Sequence, residues 1–234
     1  MELNLVQKIA VFALPVIYAI TLHEAAHGYA ALRFGDRTAE LAGRISLNPL
    51  RHIDLLGTIL VPLGILLLSK LLGGGGILFG WAKPVPVNFH NLRRPKQDML
   101  WVAAAGPGAN LAMALFWAAM IKLAAVIEGS PFAMPLALMG AAGIFINAIL
   151  MALNLFPLPP LDGGRIAVSL LPPRAAYALA RVEPYGMIIL IFLLFSGILG
   201  VFIWPLIQAV IALCALVLGM HSIELLALIQ IVLN

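Results

Sequence analysis

Charge is scarce in this chain of 234 residues: Asp, Glu, Lys and Arg make up 10% of it, against about 25% in an ordinary soluble domain. With 63% hydrophobic residues and a mean hydropathy of +1.06, it lacks the polar side chains needed to cover its apolar surface, which excludes a water-soluble globular module. Cysteine is scarcer still. Cys214 stands alone in an apolar run, so an intrachain disulfide is excluded, and so is a metal site built on paired thiolates. Any metal has to use histidine and carboxylate. No repeat of fixed period is present, which gives no support to a solenoid or an inverted-repeat transporter, and nothing is low-complexity beyond the glycine run at 73–76. The net charge of +4 invites nucleic acid as a partner, but the basic residues lie in loops flanking apolar runs, with no aromatic residues among them. Membrane topology accounts for them, and no nucleic-acid partner is expected.

What the chain does have is apolar stretches near the roughly 20 residues that cross a bilayer as helix. They recur along its whole length and predict an all-α integral membrane protein with about five or six transmembrane helices. Residues 1–234 read as a single polytopic domain, with a core over about 5–171 and further helices over about 186–234. The first helix is expected from Leu5 to Phe34. Its run from Ile9 to Leu22 is followed by His-Glu instead of a small-residue cleavage site, so it is retained and is not a signal peptide. A polar loop, 35–54, precedes an apolar stretch over 55–82. Pro84 and Pro86 then bar helix and allow only an edge strand or extended segment. Further helices are expected over 99–127 and 134–154, the latter ending at a proline-rich break and resuming through Asp162 towards Leu171. Two more, 186–204 and 206–218, meet at Pro205, and a short one over 222–234 lies at the interface.

Eleven of the fourteen basic residues fall in three loops or at their edges: Arg33, Arg37, Arg44 and Arg51; Lys83, Arg93, Arg94 and Lys96; Arg165, Arg174 and Arg181. Placing all three on the cytoplasmic side follows the positive-inside tendency. It requires the piece from 55 to 82 to enter the membrane and return, as a re-entrant or extended hairpin. An ordinary spanning helix there is the alternative.

His23-Glu24-Ala25-Ala26-His27 is an H-E-x-x-H sequence inside the first helix. Residues four apart share a helical face, so both imidazoles can reach one zinc ion, with Glu24 near a water bound to it. Zinc polarises a carbonyl and acidifies water, and Glu24 is suited to take that water's proton as general base. The plain alternative is a charged helix end with two incidental histidines. A zinc hydrolase uses three protein ligands. Asp162 is the leading third, as a lone carboxylate in an apolar stretch whose charge a metal would compensate; a helix N-cap is its other reading. Asp36, Asp54 and Asp98 are expected to be solvated in loops, and His52, His90 and His221 to have no catalytic role. A first helix running outside to inside, followed by a returning hairpin, brings Asp162 to the depth of His23 and His27.

These residues and their surroundings resemble the site-2 protease family of intramembrane zinc metalloproteases, in the short form without a PDZ or nucleotide-sensing domain. The resemblance covers most of residues 15–171: HEAAHGYAALRFGD at 23–36, GRISLNPLRHIDLLGTILVPL at 43–63, GWAKPVPVN at 80–88, AGPGAN at 105–110 and NLFPLPPLDGGRI at 154–166. The first and last are specific together, AGPGAN alone is weak, and none departs from the family pattern. The resemblance implies one zinc per chain held by His23, His27 and Asp162, with Glu24 as base. It further implies a transmembrane protein substrate cut within or beside the bilayer, and a multi-pass protein of a bacterial or archaeal cell membrane. Asn110 and Asn154 are candidate donors to a substrate carbonyl or oxyanion, helix packing being their alternative, with Gly106 and Gly108 allowing close approach. Pro84, Val85, Pro86, Val87 and Asn88 are candidates for pairing with an unwound substrate strand. Two other functions use the same residues differently: a membrane metal-ion transporter, and a catalytically silent module that holds unfolded helices.

Overall fold

The computed structural model describes residues 3–52, 54–60, 64 and 83–233. Helix α1 (Leu5–Arg33) begins where Asn4 Oδ1 accepts the Gln7 N–H at 2.9 Å and Gln7 Oε1 accepts the Asn4 N–H at 3.0 Å. This reciprocal cap satisfies two donors that a helix start otherwise leaves open. Beyond the end of α1 the chain turns at Gly35, continues through α2 (Thr38–Leu41) and a 3-10 turn (Pro49–Arg51), and reaches a π-helical turn over Leu55–Leu60. Most of the expected hairpin over 55–82 lies outside the described residues. Its flanks nonetheless meet, because the Lys83 N–H donates to the His52 carbonyl at 2.9 Å. Residues 83–88 run extended to a 3-10 turn (Phe89–Asn91), and among the described residues no strand forms.

Helix α3 (Pro95–Val126) starts with proline at its first position, where no N–H is needed. The Arg93 N–H donates to the Phe34 carbonyl at 3.1 Å, so α3 begins where α1 ends and the two run antiparallel. Helix α4 (Ala133–Asn154) stops before Pro157, Pro159 and Pro160, none of which can donate to a helical ladder. The chain then restarts as α5 (Asp162–Leu170), followed by α6 (Pro173–Ala180), α7 (Glu183–Phe195), α8 (Ile198–Leu218) and α9 (Ser222–Leu233).

The protein is all-α, and α1, α3, α4 and α8 are each long and apolar enough to cross a membrane. Among the described residues that makes four spans, or five if α6 and α7, bent by 67°, form one, against the five or six expected. The junction expected at Pro205 is displaced. Pro205 sits on an exposed face inside α8, and the break falls at Gly197, whose φ of +75° is a left-handed conformation that costs glycine little and other residues more.

The main core joins α3, α4, α8 and α9 through Ala118, Ile144, Ala148, Ile211 and Leu225, all buried. Small side chains let these helices approach, and van der Waals contact holds them where lipid offers no hydrophobic drive. Outward-facing Ile188, Val201, Phe202 and Leu216 are exposed, as a lipid-facing surface requires. A smaller cluster of Leu158, Leu190 and Leu199 ties the proline break to α7 and α8, and so fixes the height at which α5 begins.

Candidate metal centre

His23 and His27 project from the second half of α1, 7% and 8% exposed. Asp162 is the first residue of α5 and makes no capping bond, so the N-cap reading does not describe it. The three converge: Asp162 Oδ2 lies 3.2 Å from Nε2 of each histidine, and the two Nε2 atoms are 3.1 Å apart. Among the described residues this is the one group of three or more His, Cys, Asp or Glu able to hold a metal.

Zinc fits this set. Ligand atoms about 2.05 Å from a tetrahedral ion stand about 3.3 Å from one another, close to the separations found. The His27 Nδ1 lies 2.7 Å from the Val102 carbonyl, an oxygen that can only accept. Nδ1 therefore carries a proton, and in the neutral imidazole Nε2 presents a lone pair to the centre. Asp162 Oδ2 is buried with no hydrogen-bond partner. A lone pair facing an unsatisfied carboxylate oxygen is repulsive unless a cation lies between them.

Gly106 of α3 forms the floor. A Cβ there would lie 2.4 Å from His27 Nε2 and 2.6 Å from His23 Cε1, so only glycine lets α3 pass under both rings. The packing role expected of Gly106 and Gly108 divides: a Cβ at Gly108 would meet nothing within 4 Å.

Glu24 is half-buried beside the cluster, and its Oε2 accepts the Val85 N–H at 2.8 Å. The extended segment thus lies against the prospective base. It is held at its other end by Asp36, whose Oδ2 accepts the Asn88 N–H at 2.6 Å while Oδ1 accepts from Thr38 N–H, Thr38 Oγ1 and Asn91 Nδ2. Asp36 was expected to be solvated, yet it is 0% exposed. Asp98, also expected in solvent, is buried and accepts the Arg94 N–H at 2.6 Å. Asp54 is half-buried and accepts from the Gly57 N–H. The reason is common to all three: where a helix or helical turn begins, backbone N–H groups without a ladder partner recruit nearby carboxylates. His52 is buried against the Ser46 carbonyl, and His90 and His221 are exposed.

Burial alone would raise the Asp36 pKa, but bonds from the Thr38 hydroxyl, the Asn88 and Thr38 backbone and the Asn91 amide outweigh it and hold the carboxyl below 3.8. A depressed folded pKa contributes stability that is complete above the unfolded value and lost as pH falls through the folded one. Asp36→Asn is therefore expected to lower stability by about 1–3 kcal/mol at pH 7. The difference from the parent should shrink below about pH 4, as thermal unfolding in micelles at several pH values would read.

Asn110 is buried and fully committed. Its Oδ1 lies 2.6 Å from His23 Nδ1, and its Nδ2 donates to the Ala19 carbonyl at 3.2 Å and to Asn147 Oδ1 at 2.9 Å. Neither amide hydrogen is left for a substrate, in contrast to the donor role expected of it. Asn154, half-buried at the end of α4, gives one hydrogen to the Leu150 carbonyl at 3.0 Å. Asn147 is not among the residues expected from the sequence, although a lone amide within an apolar span is itself a signal.

Among curated proteins, the chain is 36% identical over 197 residues to the "putative zinc metalloprotease YwhC" of Bacillus subtilis, a match covering 83% of this chain and 84% of that one. It is 30% identical over 184 residues to the "putative zinc metalloprotease Rip2" of Mycolicibacterium smegmatis, and 31% identical over 188 residues to that of Mycobacterium tuberculosis H37Rv. Each of those matches spans 79% of this chain and 66% of the relative. No protein-family model and no solved structure matches the chain.

Proposed function

This chain belongs to the zinc metalloprotease family of YwhC and Rip2, and we propose on that basis that it is an intramembrane protease of the site-2 type. It hydrolyses peptide bonds of transmembrane proteins within or beside the bilayer. The observation that carries this reading is the convergence of His23, His27 and the unpartnered Asp162 oxygen beside Glu24, on elements packed among membrane-length helices.

His23, His27 and Asp162 would hold one zinc per chain, which would supply Lewis acidity towards the scissile carbonyl and water. Glu24 takes a proton from the attacking water, whose oxygen bonds to the carbonyl carbon, and delivers it to the amine as the C–N bond breaks. Its Oε2 is held by Val85, which leaves Oε1 for that proton. Asn154 keeps one amide hydrogen for the substrate carbonyl. A helical substrate has to unwind before attack. The Val85 N–H faces Glu24 and the Asn88 N–H is anchored on Asp36, whereas Pro84 and Pro86 bring no N–H to the segment. A substrate strand pairing along the Val85 edge would therefore lie over the site. Unchanged cleavage after replacing 84–88 by a Gly-Ser linker would count against this pairing. The basic loops and the opening of the site face the cytoplasm of a multi-pass cell-membrane protein.

The test is reconstitution into liposomes with membrane-protein substrates. Cleavage is expected with zinc, is lost on chelation, and returns when zinc is restored. Zinc flux across the vesicle wall without cleavage of any membrane protein would replace this reading with transport.

A further inference from the structure

We infer that Asn147 of α4 is a positioning residue for the zinc ligand His23 of α1. It acts through Asn110 of α3 to fix which nitrogen of the imidazole carries the proton. The inference rests on the zinc reading above but does not require proteolysis.

The Gly143 carbonyl, 2.8 Å from the Asn147 side chain, can only accept, so the group facing it is the Asn147 amide nitrogen. That turns Asn147 Oδ1 towards Asn110, 2.9 Å away, and an oxygen there requires the Asn110 NH2. The Ala19 carbonyl, on a third helix, makes the same demand at 3.2 Å. With both hydrogens of Asn110 committed, its Oδ1 is what remains for His23 Nδ1 at 2.6 Å, and only a protonated Nδ1 can donate to it. In the neutral ring Nε2 is then a bare lone pair, 3.2 Å from Asp162 Oδ2 and 3.1 Å from His27 Nε2.

Reversing either amide sets oxygen against oxygen or N–H against N–H. Asn110 and Asn147 are both 0% exposed, so solvent cannot relieve such a mismatch, and buried unsatisfied amides are costly. The relay has one satisfied polarity, set by two backbone carbonyls and transmitted over three helices. His27 needs no relay, because the Val102 carbonyl faces its Nδ1 directly. A pair of asparagines acting only as glue between helices would hold the bundle together whichever tautomer His23 adopted. The tautomer therefore separates the two roles.

The test uses the full chain in nanodiscs, freed of metal, with 15N-labelled histidine and the pH set so that the imidazoles are neutral. The His23 signals are identified by their loss in His23→Gln. In the parent protein His23 is expected as the Nδ1–H tautomer. Asn147→Leu leaves only the longer Ala19 contact to orient Asn110, and is expected to give mixed tautomers and a zinc affinity lower by about 10-fold or more, the range for an outer partner of a metal ligand. Asn147→Asp, whose protonated carboxyl can accept from Asn110 and donate to Gly143, is expected to retain both properties. His23 found as the Nε2–H tautomer in the parent would overturn the proposal without recourse to any variant. So would an Asn147→Leu protein with the parent's tautomer and zinc affinity. A chain that binds no zinc but holds His23 as Nδ1–H supports the relay and overturns only the zinc reading.

Discussion

Gly106→Ala is expected to empty the zinc site while leaving the helical bundle assembled. The added methyl would fall 2.4 Å from His27 Nε2 and 2.6 Å from both Cε1 atoms, distances at which something must move. The rings have little freedom to move, since Val102 holds one and Asn110 the other. The remaining escape is separation of α3 from α1, which carries the imidazoles away from Asp162. Zinc affinity should fall by more than about 100-fold, beyond the usual cost of losing an outer partner, and cleavage should fall with it. Gly108→Ala, two positions on in the same helix with open space at its Cβ, should retain about one zinc per chain. Elemental analysis of the two purified variants, with circular dichroism to confirm helix content, decides the matter. A zinc-replete Gly106→Ala protein would mean that α3 does not pass beneath the two rings.

Glu24→Gln separates binding from chemistry. Glutamine keeps the size of glutamate and an oxygen able to accept the Val85 N–H, so the extended segment should stay in place and zinc should remain bound. What disappears is the carboxylate that accepts the proton from water. General-base assistance contributes about 10²–10⁴-fold, and single-turnover cleavage in liposomes should drop by that factor at unchanged zinc content. Cleavage within a few-fold of the parent would assign the base elsewhere. Altered ion flux with no proteolysis in either form would point to transport.

The parts of this site that could be read from the chain alone are those whose chemistry is local. His23 and His27 share a face because a helix repeats every 3.6 residues, and no distant contact is needed to know it. The prolines after Asn154 had to end α4 for the same kind of reason. Asp162 stood out as an uncompensated carboxylate in an apolar stretch, a cost that lipid makes severe. The break near the C-terminus was misplaced at Pro205 because proline is the stronger signal in sequence, whereas Gly197 adopts the left-handed turn that ends α7.

Composition, helical periodicity and one lone acid were thus enough for an all-helical membrane protein with a prospective metal-binding motif. How the motif is held depended on folding. The Asn110 contact to His23 joins residues 87 positions apart, that of Val102 to His27 75, that of Val85 to Glu24 61, and that of Asn88 to Asp36 52. Asp36 looked solvated because its donors are remote in the chain, and Gly106 looked like ordinary helix packing because nothing beside it shows that two imidazoles lie above. A residue's local sequence specifies which bonds it is able to make; which partners reach it is set by the packing of α1, α3, α4 and α5, since contacts over such separations exist only after the helices have come together.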